Sequence, residues 1–471
     1  MKTDRKIIHA VTGVCLLFIL LIAYLSYFEL FMKDGVVKNS YNRRLSGSDS
    51  SVLRGSIYDR NGKLLAESRI NGDTQERLYP YGSLYSHIIG YDSQVYGKSL
   101  LEAGYNSYLS NQYDIHAILD ISGRMAGYKP SGANMSLTID HRLQAKAEKL
   151  LRNIKGAAVV MNPKTGEILA MVSKPDFNPN GKELEKNWTS LVDSPDAPFL
   201  PRATQGMYAP GSTFKVVTSA AALDNGLSGM TFADSGVVTI DGKQFRNSGG
   251  SVYGKLDITR AMAVSCNTFF AKLGSDLGFE SLKSAALSFG FEKEVPFDLP
   301  VKRSVFPYKE MGKADMASVG IGQGKLLATP LQMAMLASCI ANDGVMMKPW
   351  LVKRVATVNG IELRAGKPSE LYRSISPETA AAIRDMMIKA VADGTGKSAR
   401  IQGIQVAGKT GTAQNELTDK GKNKEHAWFI GFAPAKAPEV AVAVVAEYSG
   451  ASGGSLCAPI ARELISEFLG Q

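Results

Sequence analysis

The chain has few of the residues that cross-link a protein or bind metals. It holds only four cysteines, Cys15, Cys266, Cys339 and Cys457, with no Cys-x-x-Cys pair and no regular spacing. That excludes a disulfide framework and a cysteine zinc site. Its five histidines, His9, His87, His116, His141 and His426, form no metal-ligand pair at helical spacing, so no metal is expected. Acidic residues are outnumbered, 44 to 54, for a net charge of +10. The excess is not gathered into a basic run, so nucleic acid is not an expected partner; an anionic lipid or wall polymer suits the charge equally well. No internal repeat is visible.

Long apolar runs are also scarce, with one exception at the start. Ile7 to Phe28 is almost wholly apolar, and about 20 such residues cross a bilayer as a helix. Tyr24, Tyr27 and Phe28 form an aromatic exit belt in place of a small-residue cleavage site, which predicts an uncleaved anchor rather than a signal peptide. Lys2, Arg5 and Lys6 precede it, so the amino terminus is expected in the cytoplasm and nearly everything else outside. Residues 31–50 are polar and rich in serine and glycine, as in a flexible stalk.

Short strand and turn signals follow. Asn61-Gly62 predicts a hairpin between Ser56–Tyr58 and Leu64–Ala66. Residues 79–113 carry a helical stretch near Leu100–Ala103 and show no chemistry. Leu137–Asp140 reads as a strand, with Asp140 capping a helix that buries Leu143, Ala147, Leu150 and Leu151. Ala157–Met161 and Ile168–Val172 read as a hairpin, and 175–201 as a crossing without periodicity. Ile404–Gly408, Ala427–Phe432 and Val440–Glu447 read as strands, and Pro459–Leu469 as an amphipathic helix. Two glycine-rich stretches imitate phosphate loops. Gly320–Lys325 lacks the required spacing, and Gly394–Ser398 has Val391 where such a loop needs glycine, so nucleotide binding is not expected.

The chemistry is concentrated in three short motifs. In Gly211-Ser212-Thr213-Phe214-Lys215, a break precedes an apolar helix, so Ser212 lies at its start with Lys215 on the same face. A serine hydroxyl needs a base, and a lysine serves if burial lowers its pKa. A helix start also offers N–H groups to a developing oxyanion. Ser265-Cys266-Asn267 follows, in a turn between two helices, Ile258–Val264 and Thr268–Leu277. Lys409-Thr410-Gly411-Thr412 comes last, on a strand. Each motif alone fits a helix cap or a turn; the three in this order do not arise by chance.

Together with Trp428–Pro434, these motifs resemble those of a penicillin-binding transpeptidase domain. Arg54–Ala66 resembles the start of the pedestal in class B, monofunctional penicillin-binding proteins, and the short pedestal points to the penicillin-binding protein A type. The resemblance implies an α+β fold: one transmembrane helix and tail (1–30), stalk (31–50), small α+β pedestal (51–136), and a serine β-lactamase/transpeptidase-like domain (137–471) with an antiparallel sheet flanked by helices. It implies a bacterial membrane protein whose catalytic domain lies outside the cytoplasm, cross-linking peptidoglycan stem peptides and acylated by β-lactams.

It also implies roles. Ser212 attacks the penultimate D-Ala carbonyl, Lys215 takes its proton, and Ser265 relays a proton to the leaving D-Ala. Asn267 holds the substrate amide and orients Lys215. Lys409 supplies positive charge; Thr410, Gly411 and Thr412 bind the terminal carboxylate. The backbone N–H groups of Ser212 and Thr412 form the oxyanion hole. No cofactor is implied. Cys266 stands where β-lactamases commonly carry Asp, which argues against a β-lactamase. The space between Phe28 and Leu137 is too short for a glycosyltransferase domain, so a separate polytopic glycosyltransferase is an expected partner. The alternatives are a D,D-carboxypeptidase or endopeptidase, with water as acceptor, and a non-catalytic β-lactam receptor.

Overall fold

A computed structural model of the chain describes residues 2–32, 52–71, 74–112, 131–306, 309–415 and 424–470. The expected stalk lies almost wholly outside them.

A helix runs from Lys2 to Tyr27 and is followed by a single wide turn to Met32. Its segment His9–Tyr27 is long and apolar enough to cross a membrane, and none of it is buried in the protein.

Five antiparallel strands form the central sheet, in the order 407–413, 426–433, 440–446, 156–161 and 168–174. Both of its faces are covered, so the inner strands read as unbroken apolar runs such as Val440–Ala446. Trp428, Ile430, Phe432, Ala441, Ala443 and Val445 face one core. Here the helix Pro330–Ala341, with all of its residues buried, lies against the sheet. Phe429, Val442 and Val444 face the second core, closed by the helices His141–Leu151 and Cys457–Leu469. Strand 407–413 is the edge strand that borders the cleft, the other edge being 168–174.

The second sheet has six strands and joins residues 57–137 to residues 352–365. Its order is 362–365, 352–356, 134–137, 57–58, 64–71 and 74–78. The expected hairpin is present, with Ile57 opposite Ala66 and Tyr58 opposite Leu64. The boundary expected after residue 136 falls inside strand Asn134–Leu137, which pairs with 57–58 on one side and with 352–356 on the other.

Two expectations are corrected. The strand expected at Leu137–Asp140 lies instead at Asn134–Leu137, because the Thr138 hydroxyl turns to the Ile168 carbonyl and Asp140 caps the next helix through the N–H groups of Arg142 and Leu143. The crossing at 175–201 contains a helix, Gly181–Val192. Its only buried residue is Leu184, so it leaves no apolar period in the sequence to detect.

Glu102 is an unforeseen anchor of the second sheet. It is fully buried, accepts from the guanidinium groups of Arg54 and Arg77 at 2.7 and 2.8 Å, and lies 3.3 Å from the Tyr79 hydroxyl. Removing one partner of such a pair leaves buried charge uncompensated. Glu102→Ala should therefore destabilise this unit by about 3–5 kcal/mol. Calorimetry of the detergent-solubilised chain checks it, and an unmoved transition contradicts it.

Candidate active site

Three segments meet at one end of the cleft. Gly211–Phe214 forms a single tight turn, continued by the helix Lys215–Asp224. The turn is wedged between two neighbours. A Cβ at Gly211, whose φ is +53°, would stand 2.6 Å from the Thr412 carbonyl oxygen of the edge strand. A Cβ at Gly322, φ +76°, would stand 1.9 Å from the Gly211 carbonyl oxygen, and the Gly322 carbonyl accepts the Gly211 N–H at 2.9 Å. Gly320–Lys325, which imitates a phosphate loop in sequence, is thus a brace behind the Ser212 turn.

The second segment is the turn between the helices Ile258–Val264 and Asn267–Ser288. Ser265 takes a left-handed conformation there, φ 57° and ψ 43°. Such backbone is rare for a residue with a Cβ and marks sites where surrounding contacts dictate the geometry. The third segment is the edge strand Ala407–Ala413, with Lys409 buried and Thr412 exposed.

These segments converge on Ser265. Lys215 Nζ donates to Ser265 O at 2.8 Å, to Ser265 Oγ at 3.2 Å and to Asn267 Oδ1 at 2.8 Å. Lys409 Nζ donates to the same Ser265 Oγ at 2.9 Å and to Thr410 O at 2.9 Å. One hydroxyl therefore bridges two buried amines. Among the described residues neither amine has a carboxylate partner: burial, and then the nearby charge of Lys409, hold Lys215 well below the usual lysine range, partly opposed by Cys266. Burial holds Lys409 down to about 7.

Ser212 is half-buried and lines the cleft with Ser265, Asn267, Thr410, Gly411 and Thr412. The cavity has a volume of about 1010 Å³. No hydrogen bond joins the Ser212 hydroxyl to Lys215, whose three protons already have acceptors. Once Lys215 loses a proton, its lone pair is free to turn to Ser212; catalytic contacts commonly tighten only with substrate in place.

Sequence reasoning missed part of the lining. Thr395, inside the second phosphate-loop look-alike, bonds to Thr410 through their hydroxyls at 2.6 Å. Gly454 and Ser455 close the same side of the cleft as Thr395. The signal in both stretches was only glycine beside a hydroxyl residue, which ordinary turns also show.

A family profile described as the penicillin-binding protein transpeptidase domain matches residues 156–466. Another, described as the penicillin-binding protein A dimerisation domain, matches residues 54–135. The peptidoglycan D,D-transpeptidase PbpA of Mycolicibacterium smegmatis is 35% identical over 97% of each chain. Stage V sporulation protein D of Bacillus subtilis is 32% identical over 91% of this chain and 68% of its own. The solved structure of penicillin-binding protein A from Mycobacterium tuberculosis, a ceftriaxone acyl-enzyme complex, matches with a TM-score of 0.85 at 33% identity. That match covers 89% of this chain and 99% of the other.

The depressed lysines link the site to stability. Lys409 falls from 10.5 to about 7 on folding, so unfolding takes up a proton between those values and stability rises with pH across that window. In Lys409→Met the contribution is absent. The stability difference, wild type minus variant, should climb across this window by up to about 1.4 kcal/mol per pH unit. Denaturation at a series of pH values checks this, and a flat difference contradicts it.

Proposed function

Because the chain belongs to the penicillin-binding protein transpeptidase family, we propose that it is a membrane-anchored serine acyltransferase that cross-links peptidoglycan stem peptides through a Ser212 acyl-enzyme. One observation carries the assignment of roles: a single hydroxyl, Ser265 Oγ, touches both depressed lysines at the mouth of the Ser212 turn.

Ser212 Oγ attacks the carbonyl carbon of the penultimate D-Ala, and its proton passes to neutral Lys215. The rate should therefore rise as the pH climbs through the lowered Lys215 pKa. The new oxyanion faces the backbone N–H groups of Ser212 and Thr412; loss of one such donor costs about 10² to 10³ in rate. Collapse breaks the C–N bond, and the proton returns through Ser265 to the leaving D-Ala amine. Lys409 and the hydroxyls of Thr410 and Thr412 hold the terminal carboxylate beside Gly411. An amine from a second stem peptide then attacks the ester, gives up a proton by the same route, and releases Ser212. A β-lactam amide is opened by the same first step, but its amine stays tethered to the acyl group.

The proposal divides the chain into an anchor (1–30), stalk (31–50), non-catalytic unit (51–136) and catalytic domain (137–471). The cationic residues Lys2, Arg5 and Lys6 favour a cytoplasmic amino terminus and an extracytoplasmic site. A polytopic glycosyltransferase that polymerises the strands is the proposed partner. Co-purification that is lost when Ile7–Phe28 is replaced supports it; no association in detergent argues against it.

Intact mass after incubation with penicillin tests the nucleophile. Wild type should gain one long-lived adduct and Ser212→Ala none. Cross-linking of a lipid-linked substrate by wild type separates the transpeptidase from a receptor, and free acid product separates it from a carboxypeptidase. No adduct on wild type contradicts the proposal.

A further inference from the structure

The turn carrying Ser265 and Asn267 is held from behind by a buried carboxylate. Asp234 ends the strand Thr231–Asp234. Its oxygens accept from the Thr268 hydroxyl at 2.6 Å, the Tyr253 N–H at 2.7 Å, the Gly236 N–H at 2.9 Å and the Asn247 amide at 2.9 and 3.0 Å.

Binding to a carboxylate fixes which end of the Asn247 amide is nitrogen. Its Oδ1 then points the other way, where it accepts the N–H groups of Asn267 and Thr268 at 2.8 and 3.2 Å. These open the helix Asn267–Ser288, whose preceding residue, Cys266, provides no side-chain cap. Asn247 is thus the cap of that helix, supplied from another part of the chain. The adjacent Arg246 carbonyl accepts Asn267 Nδ2 at 2.9 Å, which turns Asn267 Oδ1 onto Lys215 Nζ at 2.8 Å.

We propose that Asp234 and Asn247 are positioning residues for acylation, acting on Lys215 through the amide of Asn267. The inference rests on the acylation reading given above. Without this hold the helix start loses its cap, and the Asn267 amide is free to flip and present NH₂ to the amine. Donor would then face donor. A purely structural role would instead stitch residues 231–257 to the helix and leave the proton chemistry of Lys215 alone.

The test is the second-order rate of acylation by a fluorescent penicillin, followed across the neutral and alkaline range on the full chain in detergent. Asn247→Ala and Asp234→Asn are each measured alone and combined with Asn267→Ala, with melting temperatures alongside. Asn247→Ala should slow acylation by about tenfold or more, and Asp234→Asn by less. The ascending limb should move to lower pH, because Lys215 loses an acceptor that favours its charged form. Of the other titratable groups facing Lys215, Lys409 touches neither residue, whereas Cys266 Sγ lies 3.5 Å from Asn247 Oδ1, so Cys266→Ala is measured beside Asn247→Ala as the control for the shift. In the Asn267→Ala background the same substitutions should add less than about twofold.

A folded variant with wild-type rate and profile overturns the inference, as does an undiminished effect without Asn267. If Asn247→Ala does not fold, the isosteric Asp234→Asn decides by the same two criteria. A wild type that takes up no penicillin overturns the acylation reading, and this inference with it.

Discussion

Two buried lysines share one serine hydroxyl, and most of the fold is arranged to make that contact tolerable. A buried ammonium without a counter-charge is costly, so such a group lowers its pKa and gives up its proton. Among the described residues Lys215 and Lys409 have only neutral oxygens to donate to, at Ser265, Asn267 and Thr410. Their charge is thereby made easy to lose, which is what a base for a serine nucleophile needs.

The contact needs three pieces of chain far apart in sequence. The central sheet supplies the edge strand with Lys409, the buried helix Pro330–Ala341 backs that sheet, and the Gly320–Gly322 turn presses the Ser212 loop onto Thr412. Ser265 joins the two lysines from a left-handed conformation. Helices on both sides fix that conformation, and the Asp234–Asn247 pair holds the start of the second. Rigidity accumulates outward from a single hydroxyl.

The residues proposed to react stood out in the sequence because their spacing follows local geometry: Ser212 and Lys215 are one turn apart, and Lys409 to Thr412 alternate along a strand. The inner strands were legible because burial on both faces leaves apolar runs. The supports were not. Asp234, Asn247 and Arg246 act across 20 residues or more on Asn267 and Thr268, and no periodicity records a contact between a loop and a distant helix start. Gly322 and Thr395 sit in stretches that imitate phosphate loops, since a glycine needed for close approach looks the same whatever approaches it. The helix Gly181–Val192 was hidden because it buries one side chain, and Glu102 because a short helix showed nothing of the two arginines that close on it.

The central claim is that folding strips Lys215 of its ordinary affinity for a proton. The direct measurement is a pH titration of lysine side-chain carbon resonances in the ¹³C-labelled protein, with Lys215→Met and Lys409→Met to assign the two signals. The account predicts two lysines that titrate well below the rest, one vanishing with each substitution. A Lys215 signal that titrates at the ordinary lysine value of 10.5 would contradict it.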